Sequence, residues 1–338
     1  KNIGIDFELF NYRISGSIDL YQNNTDNVLQ SRAIPITSGV PGSFQENIGK
    51  TEGKGIEVML SADIIRNAGD GFKWEMDVNF TAHNEKITEL TDGVTEDEGN
   101  GWFVGHPINV IYDYKKTGIW QLGEEDLASS FGDFAPGDIK LEDLDGNGVI
   151  DDEDRTIIGQ IDPKWTAGAT ARFYFKGFDL SAVAFARVGG NLISNLYQMN
   201  QGNPFNSLEG RRNGPDVDYW TPDNPTNEFP RTGRQITPFG STVGYFDATY
   251  LKIRSINLGY SLPASMMSGI GVERARLYLT VNNPFKAFFS DYVKLGGVDP
   301  EPNGRGGTIG AAGFGRRLTV NADTPPTRSI IFCVNVTL

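Results

Sequence analysis

The chain has 338 residues, enough for one large domain or two ordinary ones. It carries 30 Lys plus Arg against 43 Asp plus Glu, a formal net charge of −13, which argues against a nucleic-acid surface because such a surface needs a basic face to displace counterions from phosphate. No apolar run is long enough for a transmembrane helix, which leaves open a barrel wall, whose strands meet lipid only at every second residue.

The dominant pattern along the chain has period two, the period of a strand. Ile3, Ile5, Phe7 and Leu9 alternate with Gly4, Asp6 and Glu8. Tyr12, Ile14, Gly16, Ile18 and Leu20 follow, then Ile56, Val58, Leu60, Ala62 and Ile64. "KWEMDVNFTA" sets Trp74, Met76, Val78, Phe80 and Ala82 against Lys73, Glu75, Asp77, Asn79 and Thr81. Trp165, Ala167, Ala169, Ala171 and Phe173 form the next set, and Phe178, Leu180, Ala182, Ala184 and Ala186 another. In "YLKIRSINLGYSL" the phase slips between Ile253 and Ile256, which a bulge near Ser255 explains. Leu277, Leu279 and Val281 precede the last set, Ile330, Phe332, Val334, Val336 and Leu338.

These sets predict nine strands, beginning near residues 1, 12, 54, 72, 164, 178, 248, 274 and 329, with a tenth candidate inside residues 102–122. The links between them alternate in length. "FNY", "IRNAGDG", "FKG" and "PASMMSGIGV" are short, whereas the other links run over about residues 23–49, 86–163, 189–246 and 284–328. Short turns on one side and long loops on the other describe an outer-membrane barrel. Loops this long are uncommon in compact domains and are usually functional. Tyr12, Tyr21, Trp74, Trp165, Phe173, Tyr174, Phe175, Tyr260 and Phe332 stand near strand ends and are expected in aromatic girdles. Arg172, Arg187, Arg254, Arg274 and Arg276 are expected on the polar face, paired with carboxylates such as Asp179 or Glu75.

The sharpest chemical motif is "DLDGNGVIDDED". Asp143, Asp145 and Asn147 occupy the first, third and fifth positions of a calcium loop, Gly148 the sharp turn, Val149 the carbonyl position, Asp151 the ninth and Asp154 the twelfth. Oxygen ligands at this spacing converge on a hard cation, so these six residues are the candidate Ca2+ ligands, with an ion-free acidic turn as the alternative. Ile150 is expected to point into a local core. An Asp at the last position is the choice of dockerin-like loops, and the flanks show no paired amphipathic helices, which argues against a sensor EF-hand. One Cys, Cys333, forbids an intrachain disulfide. His83 and His106 form no zinc motif and are expected to be polar surface or lumen residues. No catalytic constellation and no nucleotide fingerprint can be read, and "GGVDPEPNGRGG" precedes no helix signal that would make it a phosphate cradle. "DYWTPDNPTNEFPR" brings Tyr219, Trp220 and Phe229 into one loop, either to stack on substrate or to pack within the loop.

"GDIKLEDLDGNGVIDDEDRTIIGQIDPKWTAGATARFYFKGFDLSAVAFARVGG" resembles the late barrel of SusC/RagA-type TonB-dependent outer-membrane transporters. "FDATYLKIRSINLGYSLP", "NIGKTEGKGIEVML", "GIDFELFNYRISGSIDLYQNNTDNVL" and "LYLTVNNPF" resemble further segments of that family, in order along essentially the whole chain. The resemblance implies an all-β fold, the C-terminal portion of a large antiparallel transmembrane β-barrel: about nine or ten strands of a 22-stranded barrel, with long extracellular loops. Residues 1–338 are expected to form that partial barrel, the signal peptide, TonB box and plug of the family lying outside it. The family's last residue is usually aromatic, whereas this chain ends on Leu338.

The resemblance further implies import of an oligosaccharide or peptide across the outer membrane of a Gram-negative bacterium. A SusD-like lipoprotein would cap the barrel, and TonB with ExbB and ExbD would drive it through the plug. The remaining barrel and outer-membrane lipid complete the expected partners, and no enzyme activity is implied. Two other readings stay open: a soluble or surface β-domain whose dockerin-like calcium loop serves a binding module, and a passive porin.

Overall fold

The computed structural model describes residues 1–33, 43–66, 71–90, 93–194, 197–198, 216–232, 237–267, 271–288, 319–320 and 327–337. One nine-stranded sheet dominates. Its strands are β1 (Asn2–Leu9), β2 (Ile14–Ala33), β3 (Ser43–Arg66), β4 (Lys73–Glu89), β5 (Trp165–Phe175), β6 (Phe178–Val188), β7 (Tyr250–Ser261), β8 (Arg274–Phe288) and β9 (Ser329–Thr337). Each pairs antiparallel with the next in chain order, so the sheet is an uninterrupted meander whose first and last strands do not pair with each other.

The register places the apolar residues on one face in continuous rows. One row runs Leu9, Ile14, Ala62, Met76, Ala171, Ala182, Ile256, Val281, Ile330, one residue from every strand. The adjacent row on the opposite face runs Glu8, Ser15, Ser61, Asp77, Thr170, Val183, Ser255, Asn282, Ser329. The bulge expected near Ser255 falls at Arg254: Ile253 and Ser255 take the successive partners Ala184 and Val183 on β6, with Arg254 the extra residue, and on β8 the register shifts at the same place, from Phe285 to Asn282. That single residue returns Ile256, Leu258 and Tyr260 to the face of Leu251 and Ile253.

The apolar face is bare. Ile3, Ile330 and Phe332 are 71%, 68% and 66% exposed, and no described apolar-face side chain between the strand ends is buried. A soluble sandwich would cover that face; a barrel turns it to lipid. The three buried apolar clusters lie instead in the long connections and the strand ends that enter them.

The link between β5 and β6 is a tight hairpin. Lys176 and Gly177 both adopt positive φ, the geometry of a two-residue hairpin turn whose twist matches the strands it joins. Two sequence expectations change. The link expected over residues 23–49 is largely ladder: β2 and β3 stay paired from Asn23↔Gly53 to Ala33↔Ser43. "QNNTDN" lacks alternation because a ribbon exposed on both sides needs none; the main-chain ladder continues through it without an apolar face. The tenth candidate strand is not in the wall. Val110–Tyr114 pairs with Arg155–Gln160, and Lys116–Ile119 with Ile139–Leu141, all inside the long connection after β4.

The aromatic positions divide. Trp74 stacks on Phe173, and Phe178 packs on Tyr260, at the short-turn end of the apolar face. Trp165 packs on Phe80 toward the other end. Tyr21 and Tyr174 instead lie on the polar face, aligned with Gly55 and with Asp179. Tyr12 is in the first turn, exposed. Of the polar-face arginines, Arg276 pairs with Asp179 as expected, whereas Arg172 reaches Asp77 at 2.5 Å and Glu75 takes Lys73 instead. Arg187 donates to the Ile161 carbonyl at 2.5 Å, and Arg254 lies over the Phe185 ring.

Candidate metal centre

The candidate loop is held by the connections around it. The connection after β4 and the one after β6 fold together. Ile119, Ile139 and Leu141 from the first share a core with Leu192, Tyr197, Val217, Trp220, Phe229 and Val243 from the second. Polar contacts seam the two. The Arg231 guanidinium forks onto the buried Asp138 carboxylate at 3.0 and 3.2 Å. The Asn227 side chain accepts from the Ile119 N–H at 3.0 Å, Trp220 donates to Gln121 at 2.9 Å, and Tyr245 donates to Asp113 at 2.6 Å. Burial pushes the Tyr197 phenol up to about 12 and lowers the Lys116 ammonium, which donates to the Asn227 carbonyl at 2.6 Å. Trp220 and Phe229 therefore pack within the loops, while Tyr219 is exposed.

Residues 143–154 sit on this unit. Ile150 packs against two of the buried clusters, and its N–H bonds the Phe131 carbonyl at 3.1 Å, which anchors the middle of the loop. Gly148 adopts φ +81, a conformation that a side chain at the sharp turn would strain. The carboxylates of Asp143, Asp145 and Asp154 converge, with one oxygen from each within 4.8 Å of the others. Asp154 is fully buried; its oxygens accept from the N–H groups of Leu144 at 2.7 Å and Asp151 at 3.0 Å. Asp143 accepts from Gly146 and Gly148, and Asp145 from Asn147.

The other three candidate residues adjoin this triad through hydrogen bonds. Asn147 turns its amide toward Asp145 at 2.8 Å and accepts from Val149 N–H at 2.7 Å. Asp151 caps the short 3-10 turn Asp152–Asp154 through the Glu153 N–H, and this neighbouring carboxylate holds the Glu153 carboxyl above its ordinary range. Val149 is exposed. Calcium binds six to eight oxygens at about 2.3–2.6 Å, so ligands on opposite sides of the ion are roughly 5 Å apart. Three all-oxygen donors at the observed separation fit that requirement. "GGVDPEPNGRGG" and Leu338 lie outside the described residues.

The family described as TonB dependent receptor-like, beta-barrel matches residues 1–284. The chain belongs to this family. TonB-dependent receptors are outer-membrane transport proteins of Gram-negative bacteria and are not enzymes. The chain is 32% identical over 318 residues to TonB-dependent receptor P3 of Formosa agariphila, covering 90% of this chain and 30% of that protein. It is 27% identical over 331 residues to TonB-dependent receptor SusC of Bacteroides thetaiotaomicron, covering 89% and 29%. The chain thus spans about a third of the length of the curated relatives it matches. Among solved structures, the RagAB peptide transporter superposes with a TM-score of 0.65 at 24% identity, covering 85% of this chain and 31% of that one, a likeness of fold.

Proposed function

We propose that this receptor chain is the C-terminal wall of a TonB-dependent importer working with a SusD-like lipoprotein lid to take up an oligosaccharide or a peptide. The observation that carries the reading is the bare apolar face, whose rows cross nine strands while the buried clusters lie in the long connections. In this reading that face meets outer-membrane lipid, the polar face lines the transport path, and the long connections are extracellular. TonB with ExbB and ExbD acts through a plug that the family carries elsewhere in its length. Relatives named as receptors of this kind, SusC among them, support the assignment.

Within the loop unit, Asp143, Asp145 and Asp154 hold Ca2+, with Asn147, the Val149 carbonyl and Asp151 as further ligands. The ion is structural: it neutralises carboxylates crowded beside the folded loops and fixes their shape.

Deleting the receptor gene in its bacterium tests the transport reading. Growth on one class of oligosaccharide or peptide should stop, and loss of TonB should stop it equally. Unchanged growth on all such nutrients would overturn it, and growth that survives loss of TonB would favour a passive pore.

A further inference from the structure

On the polar face, Tyr21 of β2 reaches across β3 to His83 of β4. Tyr21 and His83 are both register partners of Gly55. The Tyr21 hydroxyl meets His83 Nδ1 at 3.1 Å, and the two rings are near-parallel, their centroids 5.8 Å apart and their planes 21° apart. Only glycine permits this. A Cβ on Gly55 would lie 2.4 Å from both the Cζ and the hydroxyl of Tyr21, and one on Gly53 would lie 3.0 Å from His83. The pair therefore bridges three strands as near-parallel, hydrogen-bonded rings on a glycine floor.

The groups around it are acceptors. Asn23 and Glu85 are the partners of Gly53, Asp19 is the partner of Glu57, and Thr81 is the partner of Glu57 on the other side. Asp19, Asn23, Glu57, Thr81 and Glu85 share the platform's face by strand parity, and no cation shares these register positions. His83 and Glu57 are exposed. Beyond Ile56 the apolar-face positions turn to Lys54 and Glu52, so the platform stands where the wall leaves its apolar band toward the long connections.

We infer that Tyr21 and His83 form a stacking platform for a neutral pyranose ring of an oligosaccharide. A sugar offers an apolar C–H face to a flat π-surface and hydroxyl donors around its rim, and a ring of carboxylate and amide acceptors answers the rim. The same carboxylates repel a uronate or sulfated sugar. This inference rests on the transport reading and selects the oligosaccharide over the peptide.

The test uses the full-length receptor purified in detergent. Probes are neutral oligosaccharides from starch, xylan, mannan and levan, an alginate oligosaccharide as the anionic probe, and a mixed hexapeptide pool. The wild type should bind one of the neutral series. Tyr21→Ala and His83→Ala should each weaken that binding roughly three- to tenfold, the range of one aromatic contact. Tyr21→Phe should fall between, and Gly55→Ala, which displaces the Tyr21 ring while leaving both rings in the chain, should weaken binding as Tyr21→Ala does. Folding of each variant is read from the gel shift of the unheated barrel. Folded Tyr21→Ala and His83→Ala receptors that bind the neutral sugar as wild type would overturn the inference. So would a wild type that binds only the peptide pool or only alginate. TonB-dependent growth on the same nutrients tests transport separately, so import that persists unchanged in Tyr21→Ala sinks the platform and leaves the importer standing.

Discussion

Asp179 on β6 and Arg276 on β8 meet across an intervening strand, at 3.0 and 2.5 Å, over the backbone of Gly259 on β7. A Cβ on Gly259 would fall 2.3 Å from an Arg276 guanidinium nitrogen and 2.5 Å from Asp179 Oδ1. The "LGYSL" glycine is thus the gap through which two strands that share no ladder are joined. Gly259→Ala should separate the pair and lower barrel stability by about 1.5–3 kcal/mol, the range for hydrogen bonds to charged groups. The midpoint of unfolding in guanidinium, read on the gel shift of the unheated barrel, measures it. An unchanged midpoint would show that the pair contributes nothing.

The two faces should answer an added charge in opposite ways. Leu258 lies on the apolar face, and its neighbour Asn257 on the polar face. Leu258→Arg should reduce stability by about 2–4 kcal/mol if that face meets lipid near the bilayer midplane. Asn257→Arg should be close to neutral. Since Leu258 is already 45% exposed, a wall in water would tolerate both, and equal effects of the two variants would count against the membrane.

Arg231→Ala should open the seam between the two long connections. It leaves Asp138, only 1% exposed, with a carboxylate whose main cation is gone. The loss should be about 3 kcal/mol, in line with broken buried pairs. Hydrogen exchange should then rise together in residues 119–141 and 217–231, and a rise in one segment alone would mean that they are not one unit.

Ca2+ should slow proteolysis of residues 143–154 and a chelator should restore it. Asp145→Asn keeps an oxygen to accept from the Asn147 N–H but loses the charge, so it should weaken Ca2+ binding by at least tenfold while the loop keeps its fold. Calorimetry that detects no Ca2+ heat on the wild type would leave an acidic turn and nothing more.

Acid should loosen the loop unit. The hydrogen bond from Lys140, and next the Gln121 N–H, hold the Glu124 carboxyl below the ordinary carboxylate range. Because the folded value is the lower one, this contribution is full above the unfolded value and is lost as pH falls through the folded value. Protease resistance of residues 121–140 should therefore decline on acidification through and below the usual carboxylate range, and Glu124→Gln should flatten that decline.

The wall was legible because an apolar face and a polar face impose period two on every strand, and even the bulge at Arg254 shows as a slip in that period. Where both sides are wet the signal disappears. Asn23 to Ala33 therefore read as a loop although they continue the ladder. Val110–Tyr114 has strand composition, but no local pattern tells a wall strand from a short pair inside a connection. Asp143, Asp145 and Asp154 could be read from spacing because the loop is local. The Asp138–Arg231 pair could not, since its members stand 93 residues apart. Tyr21 was misplaced because ring position along a strand does not reveal which face it takes; the paired glycines of "EGKGIE" were the available clue.

The shared core of Ile119, Leu141, Trp220 and Phe229 also sets how this receptor can be recombined with its relatives. A chimera that exchanges only the connection after β4, or only the one after β6, would set half of one core against half of another and strand the Asp138 carboxylate. A viable graft has to carry both connections, with β5 and β6 between them, as a single cassette.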